Sequence, residues 1–311
     1  MRAFVLSGGG NRGPLQAGAI KTLLRRGITP DIIVGSSVGA LHGAYLAAEP
    51  TLAQAERMIE LWRDASRRKL FGNSPLQSVL GALRGSDHLA DNRRLRAYIA
   101  QTLPKHVRTF GDLQIPLYVT ICHLQTLTLY LYGDDPSAPL IDAVLTSAAV
   151  PGFFPPTYHE GQAFVDGGVI SNLPVLVALA RGATEIWALD LAFEVEAAAS
   201  PRSVFEIAGH ALRRPLYSLA LRELEIATQH AGVVVHHIAL PAYANLQLGD
   251  FSKTDAMLAE GERLACEYLD RPRPNEVRYP HRYTAHELPP GPPGARPFLQ
   301  DIHTPIAHPK P

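Results

Sequence analysis

Gly35-Ser36-Ser37-Val38-Gly39 sets a serine at the centre of a G-x-S-x-G pattern, between an apolar run at residues 31–34 and a helical pattern at 38–48 rich in Ala, Gly and Leu. A strand-to-helix turn this sharp brings strand and helix close together, so small residues must flank its centre. The central hydroxyl then projects at the N-terminus of the helix, where the dipole eases the build-up of charge on its oxygen. Ser37 is the candidate nucleophile, with Gly35 and Gly39 as the small residues of the turn. Ser36 is the lesser candidate, being off the central position, and the bland alternative is that either serine only caps the helix. A hydroxyl is a poor nucleophile until a base takes its proton. Phe164-Val165-Asp166-Gly167-Gly168 offers one, since a short apolar run ends in an acid beside two glycines whose backbone N–H groups can orient it. Alone, Asp-Gly-Gly also reads as a plain turn.

A third signal, Gly8-Gly9-Gly10-Asn11-Arg12-Gly13, follows an apolar run at 3–6 and opens a helical pattern near Pro14, a favoured first helical residue. Its glycines permit a sharp turn and leave N–H groups unobstructed at a positive helix end, which suits an anion. The loop also satisfies G-x-G-x-x-G, the dinucleotide fingerprint, and Asp31 lies near the position about 20 residues on where that fingerprint expects an acid. That acid belongs after the second strand, however, and Asp31 precedes Ile32-Ile33-Val34. Another alternative is a Ser, Asp, His order, with Asp190 and His236 or His237 as partners of Ser37. Against it, a serine at 37 has only one strand before it, and both histidines fall inside a strand pattern. Arg12 either helps to place the loop or is a solvated side chain.

These residues need elements to hold them. Apolar runs at 3–6, 31–34, 117–123, 127–132, 163–165, 185–189 and 233–238 read as strands, the third and fourth joined as a hairpin through 123–126. Helical patterns at 14–26, 38–48, 204–229 and 253–268 alternate with them, which predicts an α/β fold whose mainly parallel sheet is covered on both faces. Between 51 and 110 the pattern is helical only, with Leu52, Ala55, Met58, Ile59 and Trp62 on one face, and reads as a helical insertion or cap. Eleven of the 26 prolines fall in residues 271–311, so the chain divides into a body at 1–270 and a Pro-rich tail at 271–311.

Composition removes several classes. Hydrophobic residues are 46% and charged residues 19% of the 311, which is ordinary globular usage. Lys plus Arg and Asp plus Glu are 29 each, so no bulk charge argues for nucleic acid. Cys122 and Cys266 read as free thiols of a reducing compartment. Neither a signal-peptide core nor a run of about 20 apolar residues is visible, so a soluble, cytoplasmic protein is expected, with membrane contact at most peripheral. Trp62-Arg63 and Arg67-Arg68-Lys69-Leu70-Phe71 interleave bases with large apolar residues, either as a contact for an anionic membrane surface or as a solvated helix end.

In order along the chain, Gly8-Gly9-Gly10-Asn11-Arg12-Gly13, Gly35-Ser36-Ser37-Val38-Gly39 and Asp166-Gly167-Gly168 resemble the GGGxRG, GxSxG and DGG motifs of the patatin-like phospholipases, bacterial type. Ser147-Ala148-Ala149-Val150-Pro151 and Asn172-Leu173-Pro174 resemble the segments on either side of that family's acid. The resemblance spans roughly residues 3–190. It implies a three-layer α/β/α sandwich and hydrolysis of acyl esters in lipids or phospholipids by a Ser-Asp dyad. Ser37 would be the nucleophile, Asp166 the base, residues 8–13 the oxyanion loop, and Gly167 and Gly168 the acid loop, with no metal and no cofactor. Non-catalytic binding of a lipid or nucleotide on the same fold stays open as the alternative. Phe153 and Phe154 would line an acyl groove or belong to the core. The sequence is silent on oligomeric state.

Overall fold

The computed structural model describes residues 1–68, 92–191, 204–243, 246 and 249–278. Lys69-Leu70-Phe71, the middle of the expected helical insertion and residues 279–311 of the expected tail lie outside the described residues.

Burial with a period of two builds the sheet. In β1 (Arg2–Leu6), Ala3 and Val5 pack on one side and Phe4 and Leu6 on the other, all fully buried. A strand covered on both faces reads as an unbroken apolar run, the pattern that marked it in the sequence. β2 (Ile32–Gly35) lies parallel beside β1, and β3 (Leu117–His123) parallel beside β2. β4 (Thr128–Tyr132), β5 (Thr157–His159) and β6 (Gln162–Asp166) follow as antiparallel strands at that end of the sheet. β7 (Glu185–Asp190) and β8 (Val234–Ala239) extend the parallel part on the far side of β1.

Helices α1 (Gly13–Arg25), α2 (Val38–Ala48), α3 (Leu52–Arg68), α4 (Arg93–Thr102) and α5 (Leu140–Ser147) pack with Phe4, Leu6 and Ile33 on one face. Helices α6 (Val175–Ala180) and α7 (Val204–Thr228) cover Ala3, Val5 and Val34 on the other, and α8 (Thr254–Asp270) returns to the first face. The result is the three-layer α/β/α sandwich with a mainly parallel sheet that the alternation predicted. The described parts of the helical region after residue 51 are built into the core. Ala55, Met58, Ile59 and Trp62 of α3 and Leu95 and Ile99 of α4 are buried in the same core as Phe4 and Leu6.

The decisive feature of the topology lies on one edge of β3. At Ile121, Cys122 and His123 the strand pairs with both β4 and β6, and at Val119 with both β2 and β4. A strand has two edges, so β2 and β6 share the one opposite β4, running towards each other. Gly35 pairs with Val119 and Asp166 with Ile121, so the two strand ends meet about 7 Å apart along β3, at roughly 3.3 Å per residue. Residues 36–37 and Asp166 are thereby delivered to one place.

Beyond α8 the chain returns to the sheet. The Asn275 N–H donates to the Val235 carbonyl (2.7 Å), its side-chain oxygen accepts from the Val235 N–H (2.8 Å), and Val277 packs on the lower core. Residues 275–278, which fell within the expected tail, are held on β8. Among the described residues no helix is long and apolar enough to cross a membrane.

Candidate active site

Ser37 sits between β2 and α2 at φ 54° and ψ −120°, a conformation L-residues rarely adopt. Such strain costs about 1–3 kcal/mol and persists only where the surroundings over-determine it. Three contacts do so here. The Ser36 N–H donates to the Leu6 carbonyl (3.1 Å), the Ser37 N–H donates to Ser147 Oγ at the end of α5 (2.9 Å), and the Gly39 N–H donates to the Ser36 carbonyl (2.8 Å). Gly39 has no alternative as a residue, because a Cβ there would stand 2.0 Å from the Leu6 carbonyl oxygen, and Gly35 is crowded by the Gly39 carbonyl in the same way. The G-x-S-x-G spacing thus reflects α2 lying against the ends of β1 and β2.

Asp166 is buried at the end of β6, and its Oδ1 accepts the Gly168 N–H at 2.7 Å. Burial pushes its carboxyl up to about 6, against the opposite pull of the Ser37 hydroxyl, the Gly168 N–H and the Ser36 hydroxyl nearby. A carboxyl in that range is ionised at neutral pH yet basic enough to take a proton from a hydroxyl. Gly167 packs against Thr120 of β3, which holds the turn after the acid to the sheet.

The loop at 8–13 passes over the serine, since a Cβ at Gly8 would stand 3.0 Å from Ser37 Cβ. Its members divide by role. The Gly8 N–H is engaged by the Asn172 carbonyl (3.1 Å) and the Gly8 carbonyl accepts from the Asn172 side chain (3.3 Å), so Gly8 anchors the loop. The N–H groups of Gly9 and Gly10 have no acceptor among the described residues, and they are the donors available to an anion beside Ser37. Asn11 reaches the Asp250 carbonyl (2.8 Å) through its side chain, and Gly13 begins α1. Arg12 is buried, with its guanidinium on the Leu191 carbonyl (2.5 Å). Of its two readings, loop placement is the one the structure supports.

Two supports were invisible in the sequence. Glu223 of α7 accepts from the Ser171 hydroxyl and the Leu176 N–H (3.1 Å), fixing the segment that carries Asn172, and burial raises its carboxyl. Ser147 was singled out only as part of a resembling segment, and no local pattern announced its contact with the Ser37 N–H. An apolar pocket opens at Ser37, walled by Val38, Leu41, Val144, Val150, Phe153 and Phe154.

The alternative partners are elsewhere. His237 lies on β8, three strands from β2 at the same level, about 14 Å away at 4.7–4.9 Å per strand. Its Nδ1 accepts the Arg278 N–H (3.0 Å) and its Nε2 faces Asp190 (3.3 Å), so both ring nitrogens and the acid are engaged among themselves. His236 stacks on Trp187 with ring centroids 3.9 Å apart. Asp31 accepts the Arg2 N–H (2.6 Å) at the opposite end of β2 from residues 8–13, which removes the acid from the nucleotide reading. Trp62 is buried, Arg63 pairs with Glu60 and Asp255, and Arg67 and Arg68 pair with Asp64, so the part of the basic stretch described here faces the protein's own acids.

A mainly parallel α/β/α sandwich with a strained serine at the carboxyl end of one strand and a buried acid beside it defines the class of nucleophile-elbow proteins. Within that class the patatin-like phospholipase family matches residues 4–179, and the chain belongs to that family. It is 31% identical over 196 residues to lysophospholipase NTE1 of Mycosarcoma maydis, covering 60% of this chain and 9% of that protein. It is 28% identical over 191 residues to patatin-like phospholipase domain-containing protein 7 of Mus musculus, covering 61% of this chain and 13% of that protein. The chain thus spans about a tenth of the length of these relatives. Among solved structures, VipD from Legionella pneumophila aligns with a TM-score of 0.46 at 14% identity, over 86% of this chain and 66% of that one.

Proposed function

We propose that this chain is a serine acyl hydrolase that cleaves the carboxylic ester of a lipid through Ser37 and Asp166. The observation that carries the reading is a strained serine whose hydroxyl lies against a buried carboxylate of raised pKa, at the mouth of an apolar pocket. Asp166 takes the hydroxyl proton as Ser37 Oγ attacks the ester carbonyl carbon. The Gly9 and Gly10 N–H groups receive the charge that develops on the carbonyl oxygen, at the positive end of the turn leading into α1. When the tetrahedral intermediate collapses, Asp166 returns the proton to the departing alkoxide, leaving an acyl-serine. Asp166 then takes a proton from water, which attacks the acyl carbon, and Ser37 regains its proton as the carboxylic acid leaves.

The names of the relatives, lysophospholipase and patatin-like phospholipase, bring phospholipids and lysophospholipids forward as the substrate class. Incubation with a fluorophosphonate, followed by mass spectrometry of the peptides, tests the nucleophile. The expected result is one adduct on Ser37, absent in Ser37→Ala, together with release of fatty acid from a lysophospholipid. An adduct on Ser36 or Ser147, or no adduct with no ester turnover, rejects the reading. We also propose that residues 1–278 form the hydrolase body and that the Pro-rich remainder takes no part in the chemistry.

A further inference from the structure

A second cavity adjoins the apolar pocket at Ser37, and the two share Leu41, Trp62 and Leu95 as a common wall. Beyond that wall it is lined by His42 and Tyr45 of α2, Met58, Leu61 and Ala65 of α3, and Tyr98 of α4. The spacings account for its shape. Residues 41 and 45, 58, 61, 62 and 65, and 95 and 98 recur at three and four positions, so three helices turn one stripe each towards a common axis. Leu41 and Tyr45 follow Ser37 by one and two turns of α2. The α2 wall of the cavity therefore lies about 6 to 12 Å along the helix from the serine, at roughly 1.5 Å per residue.

The polar atoms of these walls are all engaged by the protein. The Tyr98 hydroxyl donates to the Leu61 carbonyl (2.8 Å), and the Tyr45 hydroxyl is bonded to Thr102. Trp62 Nε1 donates to His42 Nε2 (2.8 Å), and His42 Nδ1 donates to Gln16 Oε1 (2.7 Å). Gln16 in turn donates to the Ser7 carbonyl (3.2 Å) and the Leu189 carbonyl (3.1 Å), so the indole is locked to the base of the glycine loop. Burial holds the His42 imidazole down at about 3, leaving it neutral, and pushes the Tyr45 hydroxyl up to about 12. With every polar side-chain atom of these described lining residues engaged, the cavity suits hydrocarbon and rejects a polar head group, which would lose its hydrogen bonds there.

We propose that the second cavity receives the distal part of one acyl chain of the ester held at Ser37, and that the partition of Leu41, Trp62 and Leu95 is where the length of that chain is read. This rests on the acyl hydrolase reading and extends it to the choice of acyl group. A short acyl group ends before the partition. A longer one passes it, and each methylene moved from water to the apolar wall raises kcat/KM by up to about fourfold, until Tyr45 and Tyr98 end the space.

The test uses the full chain and p-nitrophenyl butyrate, octanoate and laurate below their aggregation limits. For the wild-type protein, kcat/KM rises from butyrate to a longer-chain optimum. Ala65→Leu, which fills the second cavity, lowers the laurate-to-butyrate ratio of kcat/KM at least tenfold, and Ala65→Val lowers it by an intermediate factor. Thermal melts establish that each variant is folded, and where the Leu variant is not, the Val variant decides. A ratio within twofold of wild type in a folded variant, or a wild type with no gain from butyrate to laurate, overturns the proposal while Ser37 labelling and butyrate turnover leave the hydrolase reading standing. Absence of all ester turnover and of Ser37 labelling overturns both.

Discussion

At the scale of single residues, the proposed mechanism makes the acid set the pH behaviour. A base at Asp166 acts only when ionised, so on that mechanism kcat/KM on a soluble ester should rise with pH through about 6 and level off above it. The same burial has a consequence for stability. Its folded pKa lies above the roughly 3.9 of a free Asp, so between about pH 4 and 6 the folded state holds the proton more tightly than the unfolded state. Stability from this group is therefore present at low pH and lost as pH rises through that window. Asp166→Asn removes the buried charge and should raise stability at pH 8 by up to about 3 kcal/mol, at 1.36 kcal/mol per pKa step, with little gain at pH 4. Thermal melts at the two pH values check this, and equal shifts at both would contradict it. In activity, Ser37→Ala and Asp166→Asn should each remove about a thousandfold or more, and the double variant should be little worse than either, because the two act as a unit. Ser36→Ala should cost far less.

At the scale of elements, the site depends on how closely backbones approach. Helices α1 and α8 touch main chain to main chain, and a Cβ at Gly261 would stand 1.9 Å from the Leu15 carbonyl oxygen. Gly261→Ala must push α8 off α1, whose first residue closes the glycine loop, so it should destabilise by about 2–4 kcal/mol in urea unfolding, whereas an exposed α8 substitution such as Glu267→Ala should stay within about 0.5 kcal/mol. Much of this architecture was legible. The parallel strands are buried on both faces and appear as apolar runs, and α2 was placed at residues 38–48 by its small and apolar composition. Strand β5 was not legible, because Thr157–His159 is short and largely exposed and is a strand only by pairing with β6. Helices α5 and α6 were missed for a similar reason, being one to two turns long. The meeting of Ser37 and Asp166 was legible as chemistry, while its cause, two strands ending head to head on one edge of β3, is a long-range pairing with no local signature. Gln16, His42 and Glu223 fall in helical patterns without any local signal of a role, and only tertiary packing reveals what they hold.

At the scale of the whole molecule, charge balance and composition say little about function, and what remains testable is where the body ends and what it needs. The proposed Ser-Asp dyad takes and returns its proton without a metal, so ester hydrolysis should survive EDTA. Loss of turnover in the chelator, restored by calcium, would count against a Ser-Asp dyad. The boundary gives a sharper test. Asn275 makes two backbone-directed hydrogen bonds to Val235, Val277 packs on the core, and the Arg278 N–H meets His237 Nδ1. Beyond that point, nine of the 33 residues are proline, which cannot donate to a sheet and disfavours helix. A chain ending at Arg278 should keep the wild-type melting temperature to within about two degrees and its turnover of p-nitrophenyl butyrate. A chain ending at Asp270 loses those three bonds and uncovers the edge of β8, leaving the Val235 N–H and the buried His237 Nδ1 without partners while Nε2 keeps Asp190, which should cost about 2–4 kcal/mol and lower the melting temperature by about 5 degrees or more. If both truncations melt alike, the strap at 275–278 contributes nothing. If the longer one already falls by many degrees, the residues after Arg278 are part of the folded body after all.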